Sequence, residues 1–356
     1  MIPVSKPYIG EEEKQAVMAV LASGMLAQGP RTAELEEKFA DVCGVKHAVA
    51  TTSGTTALHV ALLAHNIGPG DEVITTPFTF IASANSILFT GAKPVFVDIS
   101  PDTFNIDPAL IEQAITPSTK AIMPVHLFGY VCDMDAIKAI ANKHGLAIIE
   151  DASQAVGATF KEQKAGSFGT GCFSLYATKN IMSGEGGMIT TNDDEIAENC
   201  RMLRNHGMKR RYYHDMLGYN FRMSDLHAAI GLAQLNRLDE FTAKRQANAA
   251  YLNTHITGKV LTPSVKPFYE HVWHQYTIRV QNDRDGVVSQ LNANGVGTGI
   301  FYPIPAHKHE YMQEIVGDVA LPVAERIATE VISLPVHPQL TPTDLKKIAD
   351  EVNRIC

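Results

Sequence analysis

The chain has 356 residues, 45% hydrophobic and 19% charged, enough for one large buried core and a smaller second one. Its formal net charge is −8 and its pI about 5.9, so no basic surface points to nucleic acid or anionic lipid. No uncharged run is long enough to span a bilayer, the start Met1–Pro7 lacks the apolar stretch of a signal peptide, and five cysteines with no C-x-x-C pair fit reduced thiols in the cytoplasm.

Glu11 to Ser23 reads as a helix ended by Gly24. Leu35, Phe39 and Val42 at helical spacing place a second helix over Thr32 to Cys43, stopped by Gly44. Strands and helices then alternate. Val45 to Thr51 is strand-like, and Ser53-Gly54-Thr55-Thr56 opens a helix running to about His65. Strands over Glu72 to Thr76, Pro94 to Asp98, Lys120 to His126 and Leu146 to Glu150 are separated by helices over Phe80 to Phe89, from Asp107-Pro108, and over Asp133 to His144. Nearly continuous apolar strands in this rhythm predict an α/β fold with a mainly parallel sheet covered on both faces. Two short strands then flank a loop around Lys179, and Glu195 to Asn205 is helical. Ser224 to about Ile256 is one very long helix or a bent pair. The domain division is placed along it, with 1–240 as the large domain and 241–356 as a small α+β domain, the N-terminal segment being free to pack on the latter. In the small domain Val272 to Val280 and Gly299 to Tyr302 read as strands, and Arg284 to Asn294, Val323 to Thr329 and Thr343 to Asn353 as helices.

Several stretches carry chemistry. In Cys172–Gly187 an apolar strand leads into Thr178-Lys179-Asn180 and then a glycine-rich loop. An amine beside backbone that permits close approach suits attack on a flat carbonyl compound, although an isolated lysine here also fits an ordinary hairpin. Thr52-Ser53-Gly54-Thr55-Thr56 sits at a strand-to-helix junction, where free N–H groups and hydroxyls make either a phosphate cradle or a plain N-cap by Ser53. It is not a Walker loop, and Gly166–Gly171 has the wrong spacing and place for a dinucleotide fingerprint. Asp151, in Glu150-Asp151-Ala152-Ser153-Gln154, ends a central strand, where a carboxylate could keep a ring nitrogen protonated or cap the next helix. Phe78 or Phe80 could stack on a planar ligand or belong to the core. Asn220 and Arg222, between aromatics, suit a ligand or a subunit contact. His307 and His309 lack a third partner, so no metal site is expected. A lysine imine, a phosphate cradle, an acid for a ring nitrogen and a stacking aromatic together describe pyridoxal 5'-phosphate chemistry.

These segments, with Ser174-Leu175-Tyr176-Ala177-Thr178-Lys179-Asn180, Gly184-Glu185-Gly186-Gly187 and Asn220-Phe221-Arg222-Met223-Ser224-Asp225, resemble the DegT/StrS family of sugar aminotransferases, within the fold-type I pyridoxal-phosphate enzymes, nearly end to end. The resemblance implies Lys179 as the Schiff-base lysine and Asp151 as the partner of the pyridinium nitrogen. It implies Gln154 on the phenolic oxygen, Phe80 stacked on the ring, and Gly54, Thr55, Thr56 and Ser174 around the phosphate. Asn220 would reach that phosphate from the second subunit of a homodimer with shared sites. The implied reaction moves an amino group from L-glutamate, through pyridoxamine 5'-phosphate, to C3 or C4 of a keto-sugar carried on a nucleoside diphosphate, for amino-sugar and surface polysaccharide synthesis. Rival readings are an aminotransferase of a cyclitol or other cyclic ketone, a sugar dehydratase, whose relatives carry histidine where this chain has Lys179, and a regulatory protein on an inactive scaffold. The substrate contacts are expected from the loops at Gly24 to Pro30, His206 to Tyr213 and Phe301 to His309.

Overall fold

The computed structural model describes residues 1–356. Its centre is a seven-stranded sheet of β1 (His47–Thr51), β2 (Glu72–Thr75), β3 (Lys93–Phe96), β4 (Thr119–Met123), β5 (Ala147–Asp151), β8 (Thr170–Ser174) and β9 (Gly187–Thr191), with β6 (Thr159–Phe160) and β7 (Gln163–Lys164) forming a small hairpin outside it. The order is β1-β9-β8-β5-β4-β2-β3, and only β9 runs against the other six. The strands are buried on both faces, as continuous apolar runs require. The carboxyl ends of β1, β2, β4, β5 and β8 therefore meet at one edge, where an open α/β sheet binds its ligands.

Helices cover both faces. The second helix starts at Pro30 rather than Thr32, proline being suited to the first helical position, and buries Leu35 and Phe39 one turn apart. The long helical segment is a bent pair, Asp225–Leu235 and Leu238–His255. The second of these spans two cores: Leu238 and Phe241 pack in the large one, whereas Ala249 and Leu252 pack in a C-terminal core that also takes Ile2. Residue 240, the expected boundary, thus lies inside a helix shared by both.

The C-terminal part departs most from expectation. Only Tyr276–Arg279 of the 272–280 run is a strand (β13), paired with β14 (Val331–Leu334). Val272 and Gln275 instead direct their N–H groups to Gly129 and Phe128 of the large domain. Gly299 makes a single bridge to Ser333 rather than starting a strand. The hairpin β10 (Met208–Arg210) and β11 (Tyr213–His214), the strand β12 (Tyr269–Glu270) and the helix Glu310–Val316 are further elements.

Candidate active site

The end of β5 delivers two adjacent carboxylates to opposite faces. Glu150 is fully buried. It accepts the N–H groups of Gly166, Phe168 and Gly169 at 2.8, 2.8 and 2.9 Å and meets Nε2 of His126 at 2.9 Å. Nδ1 of His126 accepts from Cys132 N at 3.1 Å, so the proton facing Glu150 sits on Nε2. The glycine-rich run 166–171 is therefore a collar for a structural carboxylate.

Asp151 faces the other way, into a cavity of about 640 Å³. Its only partners in the chain are Ser83 Oγ, which donates to Oδ2 at 2.7 Å, and Ser153 N, 3.2 Å from Oδ1. Lys179 lines the same cavity. It sits in a loop closed at its base by Leu175 N to Gly186 O and Ser183 N to Leu175 O, both 2.8 Å. Burial pushes its ammonium down to about 8, while the charge of Asp151 opposes that shift. A free amine is thus accessible near neutral pH.

The floor of the cavity is the start of the helix Gly54–Ala64. A Cβ on Gly54 would lie 2.8 Å from Ser174 Cβ, and one on Gly187 only 2.1 Å from the Ser53 carbonyl oxygen, so this junction closes only with glycine at both places. Gly54, Thr55 and Ser174 line the cavity, and the Gly54 and Thr55 N–H groups have no intrahelical partner. Thr56 does not line it. Its hydroxyl is taken by Ser53 N at 2.9 Å and Ser53 O at 2.8 Å, and its N–H by Ser53 Oγ at 3.2 Å. The cap and the free N–H groups coexist at this helix start, divided between residues.

Phe78 is core, whereas Phe80, 58% exposed, forms part of the cavity wall. Gln154 Oε1 accepts from Phe128 N at 2.7 Å, and Nε2 donates one of its two hydrogens to Tyr302 at 3.3 Å. Ser83, Phe128 and His274 are wall residues that no motif marked. Phe301 and Tyr302 represent the Phe301–His309 loop, but no residue of Gly24 to Pro30 reaches the wall. That loop is held instead by Asp225, whose carboxylate accepts Gly29 N at 2.8 Å and Thr32 N at 3.0 Å. Asn220 lies on an exposed strip away from the cavity and takes Arg222 Nε at 3.0 Å.

Residues 7–353 match the model of the DegT/DnrJ/EryC1/StrS aminotransferase family. The chain belongs to that family. This DegT/DnrJ/EryC1/StrS member is 42% identical to the GDP-perosamine synthase of Caulobacter vibrioides, over 99% of this chain and 98% of the other. Its fold matches S. venezuelae DesV, solved in complex with a ketimine intermediate, with a TM-score of 0.94 at 40% identity over 97% and 94% of the two chains. It also matches Streptococcus pneumoniae Spr1654 in its PLP form, with a TM-score of 0.95 at 30% identity over 99% and 98%. Like these relatives, the chain is a mixed α/β sugar aminotransferase of a pyridoxal-phosphate-dependent family. The cavity fits that cofactor: an unpaired amine, a carboxylate with room for a further partner, free helix N–H groups and an open aromatic face share one space. No helix is long and apolar enough to cross a membrane.

Proposed function

We propose that this aminotransferase takes its amino group from L-glutamate and delivers it to C3 or C4 of a keto-sugar linked to a nucleoside diphosphate. The observation that carries the reading is that Lys179, its ammonium held at about 8, shares one cavity with Asp151. Lys179 holds the cofactor's aldehyde carbon. With the cofactor bound there, the Lys179 amine would be the group placed to take up and return the donor's α-proton. Asp151, steadied by Ser83, keeps the ring nitrogen protonated. Gly54, Thr55 and Ser174 would hold its phosphate, the free Gln154 N–H would be available to its phenolic oxygen, and Phe80 would offer a stacking face. The bound cofactor supplies the electron sink that makes the α-proton removable.

The nucleotide linkage draws support from the GDP-perosamine synthase relative and from the hairpin β10–β11. Lys209, Arg211 and Arg222 line a hollow there with His206 and His214, a setting suited to a diphosphate. Tyr212 and Leu217, 75% and 79% exposed, and Phe89, 56% exposed, favour a homodimer in which this face and Asn220 meet the partner's cavity. The five unpaired cysteines suit the cytoplasm. Lys179→Ala should abolish turnover and the visible absorption of lysine-bound cofactor; full transamination by that variant would refute the assignment. Mass analysis of products from a panel of keto-sugar nucleotides with L-glutamate identifies the acceptor.

A further inference from the structure

Between Phe128 and Lys179 the cavity wall contains a strap, Val272–Gln275, that connects the two cores. Val272 N donates to Gly129 O at 3.1 Å and Gln275 N to Phe128 O at 3.3 Å. The residue after the lysine holds the strap from the other side: Asn180 Nδ2 donates to Val272 O at 2.7 Å. A carbonyl only accepts, so this bond orients the amide, and its oxygen is what faces His274 Nδ1 at 3.2 Å. An amide oxygen also only accepts. His274 must therefore carry its proton on Nδ1 and a lone pair on Nε2. That second nitrogen has no hydrogen-bond partner within the chain, and His274 forms part of the cavity wall.

A buried cation holds the carbonyls of this strap. Arg245, 5% exposed, donates Nη1 to Trp273 O at 2.9 Å and to His274 O at 3.4 Å; its Nε has no partner, and no carboxylate pairs with it. Lys179, which lines the same cavity, is a second cation close enough to act on the ring. Burial, then the charges of Lys179, Arg245 and His271, hold the imidazole well below the usual histidine range.

We propose that His274 is a positioning residue for the catalytic lysine: Nε2 accepts a hydrogen bond from the Lys179 amine once that amine is released during turnover, while Asn180 orients the ring and Arg245 anchors the backbone that carries it. The assignment rests on Lys179 being the cofactor lysine. A flexible four-carbon stem otherwise leaves the released amine without a fixed direction. A uniquely directed lone pair returns it to one place for the proton transfer.

The test uses the holoenzyme. Nitrogen-15 histidine spectra, with the His274 signals assigned by their loss in His274→Gln, should show a protonated Nδ1 and a bare Nε2, unchanged from about pH 6 to about pH 9. A proton on Nε2, or titration in that range, overturns the proposal. In single turnovers with L-glutamate and its α-deuterated form, His274→Phe should slow proton transfer by about 100-fold and enlarge the isotope effect. His274→Gln keeps an acceptor and should stay within about tenfold of the parent. A His274→Phe rate within about twofold of the parent, at full cofactor occupancy, also overturns it. If wild-type protein binds no cofactor through Lys179, the functional reading has failed instead, and the tautomer spectrum still reports separately on the ring.

Discussion

Glu150 and Asp151 are neighbours of like chemistry on one strand, yet their surroundings differ in kind. Glu150 has three backbone N–H donors and a histidine around it and no room for anything else. Asp151 has two light contacts and an open cavity in front. A buried carboxylate saturated by its own chain serves the fold; one left partly unsatisfied beside a depressed lysine is available to a ligand.

Substitutions on the two faces should fail in different ways. Asp151→Asn removes the carboxylate charge from the cavity, and we expect kcat to fall by about 10²–10³-fold with the fold intact. Steady-state kinetics with unfolding curves checks this, and an unchanged kcat would erase the distinction between the faces. Glu150→Ala strands His126 and three N–H groups, so it should cost about 3–5 kcal/mol in denaturant unfolding while turnover per bound cofactor stays near the parent value. Normal stability with lost turnover would reverse the two roles. The smallest effect concerns pH. Lys179 attacks only as the free amine, so cofactor capture by the apoenzyme should rise with pH and level off above about 8. Asp151 raises the lysine's proton affinity, so its neutralisation should move that midpoint downward. A midpoint near that of an ordinary lysine would show the amine to be solvated.

The same contrast explains what could be read in advance. The sheet, and the residues Lys179, Asp151 and Gly54 that it brings to one cavity, were legible because each rests on a contiguous run: apolar strands, a glycine loop, a strand-to-helix junction. Ser83 lies 68 residues from Asp151 in the chain and Tyr302 lies 148 from Gln154, so only packing brings them to the site. Residues 272–275 looked like strand because Val272 and Trp273 lead into the strand-like run from Tyr276, but the N–H groups of Val272 and Gln275 go to Gly129 and Phe128, a choice made by tertiary contact. Thr56 resembled its neighbours in type, and only the cap geometry shows its hydroxyl to be occupied. Arg245 gave no local signal, since its partners are carbonyls about thirty residues away along the chain.

The most direct test is to reduce the cofactor-loaded protein with borohydride, digest it and map the modified peptide by mass. The account predicts a single pyridoxyl group, on Lys179. A pyridoxyl group on any other lysine, or none on a protein that still transaminates, would contradict it.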